Sequence, residues 1–199
     1  MPYPDTKSRG LIEEIEAAFA DTPQPVGQII LGTCWCDECS VVQDWLGGKH
    51  WRHFLRKGAR GSESLEMDMC VLNAQPWHFF LPALLIQSIK GDDGGTSHLD
   101  PAPALHRGRS EYMDEAHLLM REDRSRQLRA ERFALLTKRQ CQAVHHYIQY
   151  VMGRSEAKAL KTEKTAKHPE RYAVSREKHQ KEYVALLEFW RDQELAVTA

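Results

Sequence analysis

Long hydrophobic runs are missing from this chain. The longest, Phe79 to Ile86, is eight residues and contains Pro82, whereas a membrane span needs about 20. A membrane is therefore not among the expected partners. Cysteine is scarce and crowded: of five, three fall at Cys34, Cys36 and Cys39. A disulfide scaffold spreads its cysteines to close larger loops, so the expected setting is reducing and cytoplasmic. The opening residues MPYPDTKSRG lack the apolar core of a signal peptide. Excess charge of one sign is also lacking. Lys and Arg total 27, Asp and Glu 28, and the net charge is -1, which excludes a simple, globally basic nucleic-acid binder. Three chemical signatures are absent as well. There is no GxSxG elbow, no HExxH helix and no GxxxxGKS/T phosphate loop. The expectation leans away from catalysis.

What is present is enough to fold. Of 199 residues, 42% are hydrophobic and 28% charged, the composition of a chain that buries a core. Charge is divided unevenly: residues 1–100 carry 8 basic and 14 acidic side chains, and residues 101–199 carry 19 and 14. Such asymmetry offers a partner two different faces.

Apolar spacing predicts a mainly α, compact multi-helix domain, with one short strand or hairpin near residues 26–31. Leu11, Ile12, Ile15, Ala18 and Phe19 line one side of a helix over 8–20. A short helix ends near Leu46, capped by Gly47 and Gly48, and Lys49 to Lys57 reads as a further helical piece. The strongest apolar helix covers 74–90, with Asn73 as N-cap, Pro76 in the first turn and Pro82 as a kink. Another is expected around 111–120. Thr137 and Gln140 form a capping box for a helix that Gly153 ends, and Pro169 opens a last helix whose Trp190 is expected to close one side of the core. The expected organisation is a core domain over 8–152, a polar basic linker or helix over 153–168, and a C-terminal helix over 169–199 packing back on the core.

Two constellations could carry function. Three soft thiolates at Cys34, Cys36 and Cys39 could fill three corners of a tetrahedral structural zinc, with Cys70, His50 or His53 as the fourth ligand. Burial as small core residues is the plainer alternative. Arg154, Lys158, Lys161, Lys164, Lys167 and Arg171 step by 4, 3, 3, 3 and 4 residues. On a helix they share one broad basic face, suited to an acidic protein or to phosphates. A solvated face is again the plainer alternative. Few aromatics interleave with the stripe, so base stacking is not indicated.

Three ordered stretches carry a family resemblance: Leu11-Ile-Glu-Glu-Ile-Glu-Ala-Ala-Phe19, Phe79-Phe-Leu-Pro-Ala-Leu-Leu85 and Leu136-Thr-Lys-Arg-Gln-Cys-Gln-Ala-Val144. With Trp190, and with the Cys34–Cys39 loop followed by Gly48-Lys-His-Trp51, they resemble an uncharacterised family of small bacterial proteins with one domain of unknown function. The sequence departs from that pattern at Gln75-Pro-Trp77 and over 96–132, which is longer and richer in arginine. The shared residues are mostly apolar or capping, so the resemblance implies a fold and brings no activity with it.

Three functions follow as expectations. The first is a non-enzymatic cytoplasmic protein-binding protein, such as an immunity protein or antitoxin neutralising a toxin. The second is a zinc-binding structural module built on the Cys34, Cys36 and Cys39 loop. The third is an uncharacterised enzyme or nucleic-acid binder using the basic region 121–171.

Overall fold

A capping box opens the helix that begins at Lys138. The Thr137 amide donates to Gln140 Oε1 at 2.9 Å, and the Gln140 amide donates to Thr137 Oγ1 at 3.3 Å. Two otherwise orphaned amides are thereby satisfied, and the helix beyond them buries Cys141, Val144, Ile148 and Val151. A computed structural model describes residues 6–30, 37–56, 65, 69, 72–91, 99, 126–165 and 169–197. The helices are α1 (Thr6–Ala18), α2 (Asp37–Leu46), a 3-10 turn (Trp51–Leu55), α3 (Ala74–Lys90), α4 (Lys138–Thr165) and α5 (Pro169–Ala196). The fold is mainly α. Among the described residues, no helix is long and apolar enough to cross a membrane.

Several expected boundaries move. Gly153 does not end α4, which continues to Thr165; one glycine costs a helix about 1 kcal/mol, too little to stop it when a second helix packs alongside. The segment expected as a strand makes only an isolated antiparallel bridge, Ile30 to Leu72, among the described residues. Lys49 to Lys57 holds the short 3-10 turn instead of a full helix. Asn73 does precede α3, but its side chain donates to the Ile30 carbonyl at 2.7 Å, while its own amide donates to the Ile29 carbonyl at 2.9 Å. It pins the bridge and does not cap with its side chain. The helix expected around 111–120 lies outside the described residues.

The chain divides into two compact units. One comprises residues 21–84 and 95–136. Its core holds Trp51, Phe54, Trp77, Phe79 and Phe80, all buried. Phe54 meets Phe80 and Phe79 meets Phe80 edge to face, at 5.7 and 5.1 Å. Arg132 is buried there too. Its guanidinium donates to the Met69 and Leu72 carbonyls at 3.2 and 2.5 Å and lies 5.7 Å from the Trp77 ring. A buried charge survives only with such hydrogen-bond compensation. Gly48, at φ +69°, follows α2 in a backbone conformation that favours glycine.

The other unit comprises residues 1–20, 85–94 and 137–199. Leu11 and Ile15 of α1 are buried, and α1 packs on α4. His146 on α4 meets Glu14 on α1 at 2.8 Å. The last turns of α3 bury Leu85, Ile86 and Ile89, and Ser88 accepts a hydrogen bond from Tyr147 at 2.7 Å. Helices α4 and α5 form an antiparallel hairpin, as the Arg176–Glu163 contact near its turn requires. Trp190 is fully buried, which meets the expectation that it closes one side.

Candidate functional site

Burial along the hairpin is lopsided. Among the described residues, the buried ones of α4 run from Gln140 to Val151 and stop there, and those of α5 are Leu186 and Trp190. The turn-proximal half of the hairpin is therefore only partly covered. There α4 presents Met152, Ser155, Ala159 and Thr162, spaced by three and four residues on one face. Facing them, α5 presents Arg176, His179, Gln180 and Tyr183. Together they line a groove of about 270 Å³, with Glu156 and Lys158 on its edge.

Charge around this groove is arranged in pairs and in one unpaired row. Arg176 Nε donates to Glu163 Oε2 at 3.1 Å across the hairpin, and both are half-buried. On the outer side of α5, Lys181 meets Glu177 at 2.9 Å. The Lys181 ammonium holds the Glu177 carboxyl below its usual range by hydrogen bond and by charge. Lys158, Lys161 and Lys164 are exposed, and among the described residues no carboxylate pairs with them.

The expected basic face is thus split. Arg154 is half-buried and turns inward: its Nη1 donates to the Ile89 and Gly91 carbonyls at 3.1 and 3.0 Å. It satisfies the carbonyl end of α3, where a cation is electrostatically favoured. Lys158, Lys161 and Lys164 are exposed, and Lys158 borders the groove. Lys167 and the side chain of Arg171 lie outside the described residues. Sequence reading missed the rest of the groove. The available signal was the pair of three-and-four-residue steps, Met152–Ser155–Ala159–Thr162 on α4 and Arg176–His179/Gln180–Tyr183 on α5, a mostly small wall opposite a polar and aromatic one.

Of the expected metal ligands, His50 and His53 have described side chains. Cys34, Cys36, Cys70 and the side chain of Cys39 lie outside the described residues. His50 caps the 3-10 turn, its Nδ1 accepting the Arg52 amide at 3.2 Å. Its ring lies 5.5 Å from Trp51 and meets Phe79 edge-on at 5.3 Å. Burial first, then the Arg52 charge, hold its pKa below 6.5. His53 is exposed and lies edge-on to Phe54 at 5.3 Å. Among the described residues, no group of three or more His, Cys, Asp or Glu is placed to hold a metal.

Beyond the groove, one further cluster gathers titratable groups. Cys141 and His145 are one helical turn apart on α4, with Glu194 near both. Burial, then the Glu194 carboxylate, push the Cys141 thiol up to about 11. Nucleophilic cysteines need the opposite shift; Cys141 is buried, and His145 and Glu194 beside it are half-buried. His145 stacks on His146 and is held below its ordinary pKa by burial and by that neighbour.

The sequence pattern of a family of unknown function, DUF6714, matches residues 7–194. The chain belongs to that family. The match takes in α1 through most of α5, so the groove of this DUF6714 chain falls within the family domain. No curated protein and no solved structure matches the chain.

Proposed function

We propose that this DUF6714 chain is a non-enzymatic, cytoplasmic protein-binding protein, in the manner of an immunity protein or antitoxin that neutralises a toxic partner. The observation that carries the reading is the partly covered end of the α4–α5 hairpin, with a groove edged by the exposed Lys158 and with exposed Lys161 and Lys164 farther round α4. Unpaired surface cations steer an oppositely charged partner and raise its association rate, and a partly apolar groove supplies the contact that lasts.

The test is capture of the products of neighbouring genes by the purified full chain. A stable stoichiometric complex is expected, and its association rate should fall steeply as salt rises, because exposed charges are screened within about 10 Å at 0.1 M. Changing Lys158, Lys161 and Lys164 together to Glu should slow association at least tenfold while leaving the melting temperature within a few degrees, since all three are exposed. Absence of any stable partner, or steady turnover of a small compound abolished by one substitution, defeats the reading.

A further inference from the structure

We infer that the α4–α5 groove seats an acidic amphipathic helix of the partner protein, an inference that rests on the protein-binding reading above. The groove has the form that accepts a helix. Its α4 wall, Met152 to Thr162, is about 15 Å long at 1.5 Å per residue, or nearly three turns of a helix laid alongside. Ser155 and Ala159 keep that wall low, so a third backbone can come close. Met152 and the Tyr183 ring supply apolar surface on either side. Helix-in-groove recognition uses these parts: apolar anchors at helical spacing on the guest, and a trough between two helices on the host.

Charge selects the guest. Between residues 152 and 183 the chain carries nine basic and five acidic side chains, net +4, although the whole chain is at -1. Glu163 is held by Arg176, and Glu177 and Glu182 lie next to Lys181 and Lys178, so of the described carboxylates between 152 and 183 Glu156 alone lacks a cation partner, against Lys158, Lys161 and Lys164 among the lysines. A guest with Glu or Asp flanking its apolar stripe meets Lys158 on the groove's edge, within a hairpin segment of net +4; a basic guest meets the same charge as repulsion.

Three synthetic peptides of fourteen residues test this on the full chain. One carries Leu at i, i+3, i+4 and i+7 with Glu elsewhere, the second replaces Glu by Lys, and the third replaces Leu by Ser. Binding is followed by the NMR signals of the Met152 and Ala159 methyl groups and the Tyr183 ring. The acidic Leu peptide should shift these signals saturably and the other two should not. Ala159→Arg, which fills the trough, and Lys158→Glu, on its edge, should each weaken binding tenfold or more. Should Ala159→Arg fail to fold, the exposed Lys158→Glu decides. Equal binding by the basic peptide, shifts confined to other residues, or no shift up to millimolar peptide overturns the inference. A concentration-dependent dimer abolished by Ala159→Arg overturns it too, in favour of a second copy as occupant. A neighbouring-gene partner captured equally by wild type and both variants sinks the groove and leaves the protein-binding reading standing. No captured partner sinks the reading itself.

Discussion

Cys141 and Arg154 show how single residues acquire roles that their types do not announce. Cys141 reads from sequence as part of an apolar stripe, and it is buried with its thiol pushed up to about 11 from 9.0. The sign follows from linkage. Between pH 9 and 11 the folded thiol keeps a proton that the unfolded thiol releases, so this contribution is complete below pH 9 and is lost as pH rises toward 11. It amounts to less than about 3 kcal/mol, at 1.36 kcal/mol per unit. Urea midpoints measured from pH 8 to 11 should therefore fall more steeply for wild type than for Cys141→Ala, and parallel curves would show that the thiol does not titrate so late. Arg154 was legible as a cation on the right face. That it turns inward was not, because the carbonyls it meets belong to α3, more than sixty residues earlier. Arg154→Ala should cost about 1–2 kcal/mol, within the range for a partly buried charge at a helix C-terminus. It should leave partner association nearly unchanged, the reverse of the lysine substitutions. Equilibrium unfolding and association kinetics on the same variants separate the two roles.

At the scale of elements, local chemistry predicted starts better than stops. The Thr137–Gln140 box and Pro169 both mark observed helix beginnings, because caps and first-turn prolines act through their immediate neighbours. Gly153 misled, because a helix ends only when its intrinsic cost exceeds what packing returns, and the packing partner of α4 is the next helix, which local capping chemistry does not register. The groove was illegible for the same reason: its two walls are ordinary amphipathic spacing until the turn folds them face to face. The glycine itself provides a check. It is exposed, and a Cβ built there meets nothing within 4 Å. Gly153→Ala should raise stability by about 0.5–1 kcal/mol, roughly 1–4 °C in melting temperature for a chain of this size. A fall instead would mean that the hairpin needs a bend at that position.

For the whole molecule, sequence order and spatial grouping part company. The fold class was readable from periodicity, yet the two compact units interleave along the chain: residues 1–20 and 85–94 belong with 137–199. No periodicity argument reveals this, since it depends on contacts such as Glu14 with His146, 132 residues apart. Contacts that distant form late, because the loop must close before any burial rewards it. It follows that α1 has no lasting structure until the C-terminal hairpin is present. Its 13 residues are near the length at which isolated helices are marginal in water, and its buried Leu11 and Ile15 belong to the unit whose larger part is the hairpin. A chain ending at residue 136 should therefore show fast hydrogen exchange throughout α1. It should also bind a hydrophobic dye, as the unit that buries Leu85, Ile86 and Ile89 loses the hairpin and with it the Tyr147 contact to Ser88. The hairpin, residues 137–199, added in trans should restore α1 protection if association alone suffices. Slow exchange in α1 of the truncated chain would show instead that residues 1–136 hold this helix by themselves.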